Sequence, residues 1–219
     1  MINISGVSES RVAPAAVHFA EKESQSIILT ATYVRARRLA EDLSFFAGGK
    51  KILVMPEEEQ VFLRYEAKNH EQLIERMKAL KALRTGEPVI VVAPVSAALK
   101  RIAPHEIFEE KVIKLAMGEE ADLEKLRESL TAMGYEYAEM VESQGQFSIR
   151  GGIIDIFTPD SDWPYRVELF GTEVDSIRTF NQDTQRSLEN LKFIEIYPAK
   201  QLVAYHTDLA RGCRPIRKE

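Results

Sequence analysis

Along the first hundred residues, short apolar runs alternate with stretches in which apolar positions recur every three or four residues. The run SIILT at 26–30 is of the kind that forms a strand buried in a parallel sheet. A helix is predicted from about Thr32, with Val34, Leu39, Leu43 and Phe46 along its apolar stripe and Gly48 and Gly49 ending it. KILVM at 51–55 is the next strand, stopped by Pro56. Asn69 is the predicted N-cap of a helix in which Leu73, Ile74, Met77, Leu80 and Leu83 recur at helical spacing, with Gly86 after its end. PVIVVA at 88–93 is a third strand, and Pro94 breaks it. Strand, helix, strand, helix, strand is the grammar of a parallel sheet covered by helices. The hydrophilic stretch 57–68 is expected to be a loop or a partly helical insertion.

After about Pro104 the rhythm changes. Residues 122–133 predict one helix, capped by Asp122, with Leu123, Leu126 and Leu130 on the buried side and Gly134 ending it. From Tyr135 onward most segments alternate with period two, as strands do. The clearest are YRVELF at 165–170 and EVDSIRTF at 173–180, joined by a two-residue turn that begins with Gly171. KFIEIY at 192–197 is a last strand before Pro198, and the basic stretch 211–219 is expected to be frayed. The fold class expected is α/β followed by a small α+β unit dominated by antiparallel pairing.

Composition narrows the picture without naming a chemistry. The chain has 219 residues, 45% hydrophobic and 29% charged, enough for one large or two small cores. No apolar run approaches the ~18 residues of a membrane span, and the N-terminus lacks the pattern of a secretory leader. The single Cys213 has no internal disulfide partner and no neighbours for a metal site. These features point to the cytoplasm, with no membrane partner. A net charge of −5 argues against the whole surface being a nucleic-acid footprint.

The segment Gly6-Val7-Ser8-Glu9-Ser10-Arg11-Val12-Ala13 has the frame of a phosphate-binding loop ahead of a helix carrying Val17, Phe19 and Ala20. Such a loop needs a second Gly for backbone approach, a Lys for the phosphates and a Ser or Thr for Mg²⁺. Here those positions hold Arg11, Val12 and Ala13, and Glu9 repels phosphate, so nucleotide hydrolysis is not expected and no cofactor is. In FSIRGGIIDIF at 147–157, Phe147 and Ile149 share one face of a strand and Ser148 and Arg150 the other. Gly151 and Gly152 then permit a bend before the next strand at 153–157.

In YRVELF, burying Val167 and Leu169 puts Arg166 and Phe170 on the opposite face, ~13 Å apart at ~3.3 Å per residue. The residues alone leave two readings, of which the first is the more common. Either Phe170 packs under a loop and Arg166 pairs with Glu168 or Glu173, or an exposed Phe beside Arg forms a protein-docking hot spot. The carboxylates Asp155, Glu168, Glu173 and Asp175 have no His or Lys close by in sequence, and solvated strand faces account for them. His18, His70, His105 and His206 lack metal spacing.

Taken in order, these segments resemble one family. SQGQFSIRGGIIDIF and PYRVELFGTEVDSIRTFNQDTQRSL are similar to the UvrA-binding domain shared by the transcription-repair coupling factors and the excision protein UvrB. GEPVIVVAPVSAALKRIAP, DLEKLRESLTAMGYEYAEMV and IEIYPAK fall where that family has them. Among the two, the lost phosphate loop and the short acidic segment after Met55 favour the coupling factors, since UvrB keeps an intact loop and a long aromatic hairpin that grips DNA. That segment also departs from the coupling factors' aromatic-rich pattern.

The resemblance implies a degenerate helicase-like (RecA-like) domain at 1–103, an inserted UvrA-binding domain at 104–194, and a segment at 195–219 returning toward the first domain. It further implies a non-enzymatic module that recruits UvrA in transcription-coupled nucleotide excision repair. Arg150, Arg166 and Phe170 match the family's partner contacts. RNA polymerase, DNA and ATP-driven translocation belong to regions of the parent protein absent from this chain. The alternative is a DNA-binding fragment of a UvrB-like protein.

Overall fold

The apolar run at 88–93 supplies the middle strand of a small parallel sheet in the computed structural model, which describes residues 5–57, 66–100, 102 and 105–200. The chain divides into two units, Met1–Arg101 and Ile102–Glu219. In chain order the first unit holds α1 (Glu9–Ala20), β1 (Gln25–Thr30), α2 (Tyr33–Phe46), β2 (Lys51–Val54), α3 (Glu66–Arg84), β3 (Val89–Pro94) and the short α4 (Val95–Ala98). β1 and β2 both run parallel to β3, in the order β1-β3-β2. Flanked on both edges and covered on both faces, β3 is buried at every residue, which is why its sequence is an unbroken apolar run.

α1 and α2 cover one face, where Ala13, Val17, Ala20, Ala36, Ala40 and Leu43 meet Ile90 and Val92. Of the stripe expected on α2, Leu43 is buried and Leu39 packs against this core, and the other two residues are corrected. Val34 and Phe46 are exposed at 60% and 49%, whereas Ala36, Ala40 and Leu43 face inward. Small alanines at 36 and 40 let the helix backbone approach α1 and the sheet closely, with Leu43 filling the remaining space. α3 begins by Glu66, so Asn69 lies inside the helix and is not its cap. Most of the expected insertion at 57–68 falls outside the described residues.

The second unit holds α5 (His105–Glu109), β4 (Ile113–Ala116), α6 (Leu123–Ala132), β5 (Glu136–Tyr137), β6 (Gln146–Arg150), β7 (Ile153–Ile156), β8 (Tyr165–Phe170), β9 (Glu173–Phe180), β10 (Ser187–Leu191) and β11 (Phe193–Ile196). Six strands form one sheet in the order β10-β9-β8-β7-β6-β5, antiparallel except for the β5–β6 pair, and β4 and β11 form a separate antiparallel ribbon. α6 starts as predicted, because Asp122 accepts the Glu124 and Lys125 backbone N–H groups at 3.0 and 3.2 Å. Its Leu126 and Leu130 pack with Leu115, Ile194 and Ile196 of the ribbon onto Phe147, Ile154, Ile156, Val167 and Ile177 of the sheet. One face of the sheet is thus an apolar core.

The chain is mixed α/β, with a parallel and an antiparallel sheet. Of the expected return segment, 195–200 lie in the second unit, and the stretch 201–219, with His206, Cys213 and the basic end, falls outside the described residues. No helix among the described residues is long and apolar enough to cross a membrane.

Candidate functional site

The sheet face opposite the core of the second unit is built by alternation. Val167 of β8 is fully buried in the core and Tyr165 and Leu169 pack against it, so Arg166, Glu168 and Phe170 project the other way. Pairing lines up Ser148, Asp155, Arg166 and Arg178 across β6, β7, β8 and β9, and Arg150, Ile153, Glu168 and Ser176 in the neighbouring row. Phe170 lies two residues beyond Glu168, ~6.6 Å further along β8.

Two tight turns set the end of this face. β6 joins β7 through Gly151 and Gly152, and β8 joins β9 through Gly171 and Thr172. Gly151 and Gly171 have φ of 59° and 67°, while Gly152 and Thr172 do not have positive φ. That sign pattern is the one of a hairpin turn with Gly at its first central position. Gly152 is required for a different reason: a Cβ there would sit 2.9 Å from the Leu169 carbonyl oxygen. The bend expected at Gly151 and Gly152 is this hairpin. The 118–121 segment braces the second turn, with Ala121 N–H donating to the Thr172 carbonyl at 2.7 Å.

At the centre of the face Asp155 is only 2% exposed and accepts three charge-assisted hydrogen bonds. Arg166 gives it Nε–H at 2.6 Å and Nη2–H at 2.8 Å, and Arg150 gives Nη2–H at 2.8 Å. A carboxylate this buried is stable as a charge only because two guanidiniums hold it. Arg166 also donates Nη2–H to the Gln185 side-chain oxygen at 2.8 Å, and its Cζ lies 4.1 Å from the Phe180 ring centroid. Two arginines on one aspartate leave the cluster with a surplus positive charge.

Alongside, Arg178 donates to Glu168 at 2.5 Å, and Ser176 Oγ–H donates to the same carboxylate at 3.0 Å. The Arg178 bond holds the Glu168 carboxyl below its usual range, and the Ser176 bond adds to it.

The expected site residues fall on this one face, in different environments. Phe170 is 84% exposed at the tip of the β8–β9 hairpin. Arg150 has its side chain 47% exposed, and Arg166 only 13%. Arg166 is corrected on its partner: it pairs with Asp155 from β7, not with Glu168 or Glu173. Asp155 and Glu168 are likewise not solvated strand carboxylates, although Glu173 and Asp175 are exposed. Sequence reasoning set Asp155 aside and missed Phe180 and Gln185, because the roles of the first two depend on strand register and that of Gln185 on the fold of the 181–186 loop. A lone Asp flanked by isoleucines in IIDI was the one available signal. Among the described residues no group of three or more His, Cys, Asp or Glu is placed to hold a metal.

In the first unit the Gly6–Ala13 frame is corrected: α1 begins at Glu9, so Glu9–Ala13 are already helical and only Gly6, Val7 and Ser8 precede the helix, with Gly6 at φ 74°. A cleft of about 510 Å³ there is lined by Glu9, Ser10, Thr30, Arg35, Arg38 and Asp42. Glu9 faces Arg35 at 3.8 Å in an exposed ion pair, and its negative charge on this cleft disfavours an anionic ligand.

Comparison with known proteins follows the same division. Residues 113–202 match the UvrB interaction domain family. Over 196 residues, 90% of this chain, the sequence is 36% identical to the transcription-repair-coupling factor of Bacillus subtilis (strain 168). Over 201 residues, 91% of the chain, it is 32% identical to that of Staphylococcus aureus (strain Mu50). The chain spans 17% of the length of each of these curated relatives. The resemblance read from the SIRGG and YRVELF segments is borne out: residues 113–202 belong to the UvrB interaction domain family, on a chain related to transcription-repair-coupling factors over nine-tenths of its length.

Proposed function

We propose that the second unit is a docking module for the repair protein UvrA and acts in transcription-coupled nucleotide excision repair as part of a longer ATP-dependent translocase. The observation that carries this reading is the pairing of a nearly bare Phe170 with a net-positive Arg150–Asp155–Arg166 cluster on one sheet face. An aromatic anchor beside arginines fits a partner that offers an apolar pocket rimmed by carboxylates. The relatives named for coupling transcription to repair support the pathway.

The first unit fits a degenerate helicase-like (RecA-like) domain. Its parallel β1-β3-β2 sheet and the Arg11-Val12-Ala13 replacement of the phosphate-binding residues support that reading. It serves as a scaffold with no nucleotide chemistry of its own.

Calorimetric titration of purified UvrA into this chain tests the docking reading. The wild type binds, and Phe170→Ala and Arg150→Ala each weaken binding by about 2 kcal/mol, some thirtyfold. Phe170→Ala leaves unfolding stability within about 0.5 kcal/mol, because its ring is already in water. A folded wild type that fails to bind, or variants that bind as it does, would sink the reading. Duplex DNA titrated in parallel tests the UvrB-like alternative.

A further inference from the structure

Gln185 is the only residue other than glycine with positive φ among the described residues, at 58°. A glutamine gains nothing locally from that left-handed conformation, so the surrounding loop must impose it. Asn181 organises the loop: its side-chain oxygen accepts the Asp183 and Thr184 backbone N–H groups at 3.1 and 2.8 Å and the Thr184 hydroxyl at 3.0 Å. Gln185 N–H closes the turn onto the Asn181 carbonyl at 2.8 Å, and Asn181 N–H bonds the Arg186 carbonyl at 2.9 Å. The result aims the Gln185 side chain back over the sheet. Its Nε2–H donates to the Gln182 carbonyl at 2.7 Å, which fixes the amide so that Oε1 meets Arg166 Nη2.

The Arg166 guanidinium is then held at Nε and Nη2 and on one face. Asp155 takes Nε–H and one Nη2–H, Gln185 takes the other Nη2–H, and the Phe180 ring lies 4.1 Å from Cζ. Nη1 makes no hydrogen bond among the described residues, and the Arg166 side chain keeps 13% of its surface exposed. We infer that Gln185 is a positioning residue that fixes Arg166 so that the two Nη1–H donors are preset toward a partner carboxylate. This rests on the docking reading above. The benefit is entropic: an arginine already immobilised loses little side-chain freedom when the partner arrives.

Gln185→Gly separates this role from a structural one, because glycine adopts φ 58° freely. Its melting temperature is expected within about 3 °C of wild type. Two readouts follow on the full chain. In ¹⁵N relaxation, the Arg166 Nε–H order parameter is high in the wild type and falls in Gln185→Gly. Gln185→Glu, which retains an acceptor oxygen, keeps it high. By calorimetry with purified UvrA, Gln185→Gly binds about three- to tenfold more weakly than wild type.

Unchanged Arg166 order in Gln185→Gly overturns the proposal, as does equal loss of order in Gln185→Glu, which would assign the effect to the Gln182 bond. Wild-type affinity in a Gln185→Gly whose Arg166 has loosened overturns it too. If the wild type itself does not bind UvrA, the docking reading fails, while the Arg166 order still decides whether Gln185 clamps the arginine.

Discussion

β3 in the first unit and β8 in the second are both central strands of six residues, and they solve burial in opposite ways. β3 is buried on both faces by apolar contacts and carries no charged side chain. β8 buries Val167 in an apolar core and, on its other face, tucks Arg166 into a layer of ion pairs. Water is excluded from every residue of β3 but, in β8, fully only from Val167, and only β8 keeps groups with directional chemistry. The difference teaches where recognition can be built. A two-sided apolar strand holds a scaffold together, whereas an alternating strand can anchor a charged face rigidly to its own core and show the far end of that face to a partner.

That contrast can be broken most forcefully at Asp155. Asp155→Ala leaves two guanidiniums facing each other without their shared counter-ion and should destabilise the second unit by about 3–5 kcal/mol. The chain's single tryptophan, Trp163, lies in that unit and reports its unfolding in denaturant. A loss below about 1 kcal/mol would show that the charged layer does not hold the sheet.

A cavity in β3 tests the other half. Ile90→Ala should lower the stability of the first unit by about 2–5 kcal/mol, followed by far-UV circular dichroism, with the Trp163 transition unmoved. A matching shift of both transitions would mean that the two units do not answer separately.

The smallest effect is set by pH. Burial raises the Tyr135 hydroxyl well above its usual range, and burial with a hydrogen bond to Glu195 raises that of Tyr197. Each stays neutral in the fold after it has ionised in the unfolded chain. Their stabilisation is complete below the unfolded value of about 10 and is lost as pH rises above it, by up to about 1.4 kcal/mol per tyrosine per pH unit. Denaturant midpoints measured at rising alkaline pH should fall along that slope, and Tyr197→Phe should flatten it.

Much of this was legible along the chain. The apolar run in β3, the Asp122 cap of α6, the Gly171 turn and the alternation of YRVELF each follow from interactions between residues close in sequence. The side of the sheet on which Arg150, Arg166 and Phe170 project was legible for the same reason, since period two depends only on the strand itself. The buried face of α2 was not, because whether alanine or valine faces inward depends on how closely α1 and the sheet approach it.

The sequence by itself therefore determined the elements, their caps and turns, and the fact that one antiparallel unit has a polar face. Tertiary structure decided what that face is. Pairing of β7 with β8 placed Asp155 opposite Arg166, the β6–β7 hairpin brought Arg150 to the same carboxylate, and a left-handed Gln185 brought its side-chain oxygen to Arg166. The physical reason is range. Propensity and periodicity act within a turn of helix or strand, whereas the burial of a charge is settled only when groups from separate strands arrive together to replace its water.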